Sequence, residues 1–128
     1  MNLLLDTHLL LRAAGTPERL SDEAVGYIEE PGNRLLFSAA SIWEVAIKNG
    51  FERPGFHADP ALLRRGLLDN GYAELPITGV HASLVGQLPA IHKDPFDRIL
   101  IAQAESEGLL LLTSDEVVTQ YTGPIQRV

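Results

Sequence analysis

Short apolar runs alternate with amphipathic segments along the chain, and this alternation predicts strands followed by helices. Residues 3–5, 35–38 and 109–113 are nearly continuous apolar runs, which are typical of strands buried on both faces. Residues 73–77, weakened by a proline, and the short run 125–128 predict edge strands. The pattern therefore predicts an α/β fold with three layers, in which helices flank a central, mainly parallel sheet of four to five strands.

Caps and breakers mark the helices between these runs. Helices are predicted at residues 9–14, 21–30, 41–48, 60–70, 79–88, 95–107 and 116–121. The clearest is 95–107, because Asp94 fits its N-cap, Pro95 fits its first position and Gly108 ends it. Asp97 heads the apolar stripe of this helix, so its carboxylate is expected on the buried edge and not only as a partner of the helix dipole.

Composition sets the broad class. The 128 residues are most simply one domain, 1–128, and 45% hydrophobic with 21% charged residues is ordinary for a globular protein. Cysteine is absent, which excludes disulfides and thiolate zinc sites and suits a reducing compartment. No signal peptide and no membrane-spanning run is recognised, so a cytoplasmic protein without a membrane association is expected.

The net charge of −7 argues against a broad basic surface that coats nucleic acid. Acids gathered at one metal site would contribute several of these charges, and a bound cation would reverse the local field felt by a phosphate. The acidity therefore weakens a nucleic-acid hypothesis without excluding it.

Several acids have structural explanations when they are taken singly. Asp6 fits the cap of the first helix, and either Ser114 or Asp115 fits the cap of the last. Ser41 and Glu44 have the spacing of a capping box, while Glu44 and Lys48 have the spacing of a favourable i, i+4 ion pair.

Taken together, four acids share one kind of place, the junction between a strand and a helix or the first turn of a helix. They are Asp6, Glu44, Asp97 and Asp115. In an open parallel sheet such junctions converge at the carboxyl ends of the strands, where ligands bind. Carboxylates gathered in one cleft repel one another, so they are stable as anions only around a cation. Oxygen ligands favour Mg²⁺ or Mn²⁺.

The histidines suggest no second site. His8, His57, His81 and His92 lack zincin spacing and are predicted to be structural or surface residues. Neither a glycine-rich phosphate loop nor a nucleophile elbow is present.

Four motifs in this order resemble those of the PIN domain, and specifically of VapC-like toxin ribonucleases of type II toxin–antitoxin pairs. The motifs occupy residues 4–8, 41–48, 92–104 and 112–115. The resemblance implies an Mg²⁺- or Mn²⁺-dependent endoribonuclease with an RNA substrate. It also implies homodimerisation and neutralisation by a small antitoxin protein.

The resemblance assigns the family's acidic quartet to Asp6, Glu44, Asp97 and Asp115. It implies metal-assisted phosphodiester hydrolysis, in which Asp6 and Asp97 hold the main metal while the other two complete its shell, hold a second ion or orient water. Supporting roles fall on Thr7, Asp94 and Ser114, whose hydroxyl precedes the last acid. One departure is the loop after the Glu44 helix, which lacks a lysine just after its glycine. Lys48, Arg53 and Arg98 are the cations expected to contact substrate.

Three alternatives use the same features differently. A metal-dependent phosphatase or another nuclease would share the cation, although a haloacid-dehalogenase pattern needs an acid where His8 stands. A receiver domain needs an aspartate where Ser38 stands. A catalytically silent PIN scaffold that only binds proteins would be expected to have lost an acid, and none is missing.

Overall fold

The structure is a computed structural model that describes residues 1–48 and 58–128. Its strands are β1 (Asn2–Leu5), β2 (Arg34–Ser38), β3 (Ala73–Leu75), β4 (Leu110–Thr113) and β5 (Ile125–Arg127). Its helices are α1 (Thr7–Gly15), α2 (Asp22–Glu29), α3 (Ala39–Lys48), α4 (Pro60–Asp69), α5 (Gly79–Val85) and α6 (Pro95–Glu107). Two 3₁₀ turns, Pro17–Arg19 and Val118–Gln120, complete the regular structure of these ranges.

Within the described ranges the five strands form one sheet in the order β3-β2-β1-β4-β5, and every neighbouring pair is parallel. β1 is central, with Leu4 opposite Leu36 on one side and Leu111 on the other. β3 and β5 are the edges. The parallel sheet and both edge strands expected from the apolar runs are confirmed.

Two hydrophobic cores lie on opposite faces of the sheet, which explains why the central strands are apolar throughout. Leu3 and Leu5 of β1 belong to one core with side chains of α1, α3 and α4, such as Leu63. Leu4 points into the other core with α6 side chains such as Leu100. Successive side chains of a strand point to opposite faces of the sheet, so alternate residues of β1 pack in opposite cores. Within the described ranges, no helix is both long enough and apolar enough to cross a membrane.

Several predicted bounds differ from the structure by two or three residues, as at the start of α1 and the end of α5. α3 begins at Ala39 and not at Ser41, because Ser38 Oγ accepts a hydrogen bond from Ala40 N at 3.0 Å just beyond β2. Ser41 is therefore inside the helix and does not cap it. The segment 116–121, predicted as a helix, forms only the short 3₁₀ turn before β5.

Candidate active site

Asp6 lies where β1 passes into α1, and the backbone there determines its orientation. It is the N-cap of α1, and its Oδ1 accepts a hydrogen bond from Leu9 N at 2.9 Å. Its Oδ2 accepts a second hydrogen bond from Thr113 Oγ1 at 2.6 Å. Only 6% of Asp6 is exposed, and this burial raises the pKa of its carboxyl, although the two hydrogen bonds oppose the shift.

Thr113, the last residue of β4, connects two acids. It donates to Asp6, and its Oγ1 accepts a hydrogen bond from Asp115 N at 3.0 Å. The sequence placed the supporting hydroxyl at Ser114. In the structure Ser114 Oγ is 3.5 Å from Arg12 Nη1, and the hydroxyl that donates to Asp6 is that of Thr113, so the supporting role of Ser114 stays a prediction.

Asp97 lies on the first turn of α6, which begins as the sequence predicted. Asp94 caps the helix by accepting hydrogen bonds from Phe96 N and Asp97 N, and Pro95 occupies the first position. Burial raises the pKa of Asp97 to about 6, and the negative charge of Asp94 adds to the shift. A hydrogen bond with His92 opposes it.

Asp115 follows β4 and is exposed, with its Oδ1 accepting a hydrogen bond from Val117 N at 2.8 Å. Its negative charge raises the pKa of both Asp6 and Asp97. Three acids that are far apart in the sequence thus interact electrostatically at the carboxyl end of the sheet.

Glu44 is buried on α3 next to the same junction, and both of its carboxylate oxygens have partners. Oε1 is 2.6 Å from Thr7 Oγ1, which is itself 2.9 Å from Ser41 Oγ. Oε2 pairs with Lys48 one turn later, which confirms the predicted ion pair. Thr7 directly follows Asp6, so its hydroxyl connects Glu44 to the start of α1.

His92 and Tyr121 are two residues at the site whose contacts the sequence did not indicate. His92 Nε2 is 3.0 Å from Asp97 Oδ2, and His92 Nδ1 is 2.7 Å from Tyr121 Oη. The one local signal is that His92 precedes Asp97 by five residues in the same motif. Tyr121 is separated from His92 by 29 residues, and no sequence pattern connects them.

The arginines expected to contact substrate and two of the histidines remain to be placed. The guanidinium of Arg98 donates to Tyr121 Oη and to backbone carbonyls between α5 and α6, and its contact with substrate stays a prediction. Arg53 and His57 lie outside the described residues. His81 is fully buried, with Nδ1 accepting from Thr78 N, so its structural role is confirmed.

The donor set suits a hard divalent cation, since it consists of carboxylates that burial and mutual repulsion disfavour as anions. In the ranges 1–48 and 58–128, no three acid, histidine or cysteine side chains lie close enough together, as placed, to hold an ion. Mg²⁺ retains several waters and is usually bound through only one or two carboxylates, so a preformed group of three is not required. Asp6 and Asp97 therefore fit such an ion by their chemistry.

The family follows from a comparison with known domains. The family model for the PIN domain matches residues 3–123, nearly the whole chain. The chain belongs to the PIN domain family, which confirms the resemblance seen in the four motifs. Comparison with curated proteins gave no significant match.

Solved structures with a similar fold include toxin–antitoxin complexes. VapBC2 from Rickettsia felis, bound to a DNA fragment from its promoter, has a TM-score of 0.72 at 12% identity, covering 100% of this chain and 99% of that one. VapBC-1 from nontypeable Haemophilus influenzae has a TM-score of 0.64 at 20% identity, covering 100% and 97%. DNA-bound VapBC from Salmonella typhimurium has a TM-score of 0.63 at 15% identity, covering 100% of this chain and 97% of that one. At these identities the likeness establishes the fold.

Proposed function

We propose that this protein is an Mg²⁺- or Mn²⁺-dependent endoribonuclease and the toxin of a toxin–antitoxin pair. One observation carries the proposal: in a PIN domain, Thr113 Oγ1 donates to Asp6 Oδ2 at 2.6 Å and accepts from Asp115 N at 3.0 Å, so one side chain at the carboxyl end of the sheet joins two acids. Acids that are brought together and partly buried in this way lower their repulsion by binding a cation.

In this mechanism Asp6 and Asp97 hold the cation, and Asp115 contributes from the exposed side of the cleft. When bound, a divalent cation would lower the pKa of the attacking water and offset negative charge on the phosphate. Thr113 keeps Asp6 oriented through its short hydrogen bond. Glu44 acts less directly than the two aspartates, because the ammonium of Lys48 already balances its charge, whereas the donors to Asp6 are uncharged.

The partners are part of the same proposal. The VapBC complexes among the structural neighbours support a cognate antitoxin, which we expect to be encoded by a short neighbouring gene. We propose that the protein forms a homodimer, with about twice the 14.0 kDa mass of the chain in light scattering. An RNA substrate implies that it acts in the cytoplasm.

The test is cleavage of a mixed cellular RNA pool by the purified protein with Mn²⁺ or Mg²⁺, beside an EDTA control. Internal cuts that require the cation support the proposal. A single-stranded DNA of matched length and a phosphate monoester are tested in parallel. Preferential hydrolysis of the DNA or the monoester contradicts the ribonuclease assignment and favours the other nuclease or the phosphatase. Cation binding without hydrolysis of any of these contradicts it too.

A further inference from the structure

A chain of side-chain hydrogen bonds ends at the carboxylate of Asp97. Arg98 Nη1 is 2.9 Å from Tyr121 Oη, and that hydroxyl is 2.7 Å from His92 Nδ1. His92 Nε2 is 3.0 Å from Asp97 Oδ2. Arg98, Tyr121 and His92 are thus linked in series to one oxygen of Asp97.

The chemistry of the groups determines the direction of each hydrogen bond. A guanidinium can only donate, so Tyr121 Oη accepts from Arg98 and its own hydrogen is left for His92 Nδ1. An imidazole that accepts at Nδ1 carries its ring hydrogen on Nε2, which then donates to Asp97 Oδ2. The hydrogen bonds therefore run in one consistent direction, from Arg98 to Asp97.

The far end of this chain is held firmly. The guanidinium of Arg98 also donates to two backbone carbonyl oxygens, that of Val85 at the end of α5, at 3.1 Å, and that of Pro89 after the helix, at 2.8 Å. Tyr121 is only 4% exposed, and its ring packs edge-on against His92 with the ring centroids 5.3 Å apart. The orientation of His92 is therefore fixed by groups that do not belong to the acidic site.

The two oxygens of Asp97 have different surroundings. Oδ2 is engaged by His92, whereas no hydrogen bond from any residue in 1–48 or 58–128 reaches Oδ1. Each carboxylate oxygen has two lone pairs, so Oδ2 keeps one beside its bond to His92, whereas Oδ1 keeps both and is the better placed of the two to bind a cation. Hydrogen bonds of this kind to a metal-binding carboxylate orient it and tune its affinity.

We propose that His92 and Tyr121 are positioning residues, which hold Asp97 Oδ2 so that Oδ1 is the oxygen offered to a divalent cation. The inference rests on the proposed function only in taking Asp97 as a cation ligand. Tyr121 follows Asp115 in the connection between β4 and β5, so the same bonds also tie the start of α6 to the segment that carries Asp115.

The test uses two matched substitutions that each remove one phenolic hydroxyl. Tyr121→Phe interrupts the series of hydrogen bonds while keeping the buried ring, and Tyr72→Phe makes the same change in the opposite core. His92→Ala removes the last donor, whereas His92→Gln retains an N–H donor for Asp97. Mn²⁺ affinity is measured by titration calorimetry of the metal-free proteins at one pH, and thermal unfolding in EDTA checks that each variant is folded.

We expect His92→Ala to weaken Mn²⁺ binding about 10- to 100-fold and Tyr121→Phe about 3- to 10-fold, with the larger loss at the direct donor. His92→Gln recovers part of the affinity, and Tyr72→Phe matches the wild type. If both chain variants are folded and bind Mn²⁺ as tightly as Tyr72→Phe, the inference is overturned.

These outcomes are separate from those of the function itself. A wild-type protein that binds Mn²⁺ without cutting RNA contradicts the ribonuclease proposal, yet the affinities still decide the role of His92 and Tyr121. A wild-type protein that binds no divalent cation overturns both. Where RNA is cut, the loss in the folded variants is expected in kcat at saturating RNA and not in KM, because these residues act on the cation ligand.

Discussion

Thr113 Oγ1, at the end of β4, donates a hydrogen bond at 2.6 Å to Asp6 Oδ2, just beyond the neighbouring strand β1. Both side chains are buried, so the bond partly offsets the cost of enclosing a carboxylate. The same hydroxyl accepts from Asp115 N, and one side chain thereby sets the position of two acids.

Replacing Thr113 with valine keeps the shape and removes the hydroxyl. We expect Thr113→Val to lower the free energy of unfolding at pH 7 by on the order of 1–3 kcal/mol, because Asp6 loses a buried donor. Thr113→Ser, which retains the hydroxyl, should keep most of the free energy of unfolding that Thr113→Val loses. Urea unfolding in EDTA measures the effect, with the exposed Thr122→Val as the control. Equal stability of Thr113→Val and Thr122→Val would show that the bond contributes nothing.

Glu44 is expected to tolerate substitution better than the two aspartates. Lys48 already balances its charge, so Glu44→Gln disturbs the surroundings of the site rather than removing a direct ligand. The expected loss of kcat is about 10- to 100-fold, the range found for groups that orient metal ligands. Single-turnover cleavage of one defined RNA measures it. Complete inactivity of a folded Glu44→Gln protein would instead make Glu44 a direct participant.

Asp97 makes the folding stability of the metal-free protein depend on pH. Its pKa is raised from the ordinary value of 3.8 to about 6, so folding favours its protonated form. This stabilisation is fully present below pH 3.8 and is lost as the pH rises through about 6. Allowing for partial exposure to solvent, we expect it to be worth on the order of 1–2 kcal/mol.

Substitution of the acid isolates this contribution. Asp97→Asn should be more stable than the wild type at pH 7.5 in EDTA and should lose the fall in stability between pH 4 and pH 7. Urea unfolding across that range makes the comparison, and Asp69→Asn, at an exposed position on α4, controls for the change of charge. An undiminished fall in Asp97→Asn would contradict the assignment of the titration to Asp97.

Cation binding should offset the destabilisation caused by the gathered acids. A ligand that binds only the folded state stabilises it by mass action, by about 2.7 kcal/mol at 100 times its Kd. We therefore expect Mn²⁺ to raise the Tm of the wild type in proportion to the logarithm of its concentration, and to leave that of Asp6→Asn nearly unchanged. A similar rise in both proteins would place the binding elsewhere.

The parts of the fold that depend on local signals could be predicted from the sequence. Asp94, Pro95 and Gly108 delimit α6 because a cap, a fixed φ and a left-handed residue act within a few positions. The apolar β1 and β4 were recognisable because a strand covered on both faces has no polar positions. The placement of Asp6 and Asp115 at one end of the sheet followed from the parallel arrangement.

The contacts that orient the acids could not be predicted, because they join distant positions. The sequence pointed to Ser114, which directly precedes Asp115, and only the pairing of β4 beside β1 brings the hydroxyl of Thr113 to Asp6. Tyr121 and His92 meet only once the 3₁₀ turn before β5 packs beside α6. Such contacts are decided by tertiary packing, which neither periodicity nor capping encodes.

The most direct test of the account is RNA cleavage in Mn²⁺ by two proteins that differ only in which aspartate has become asparagine. Asp6→Asn alters the buried acid at the end of β1, and Asp69→Asn makes the same chemical change at the exposed end of α4. Both are first shown to be folded by thermal unfolding. The account predicts no cleavage by Asp6→Asn above the EDTA background and cleavage at the wild-type rate by Asp69→Asn. Cleavage by folded Asp6→Asn at the rate of Asp69→Asn would contradict the assignment of this acidic site as the catalytic centre.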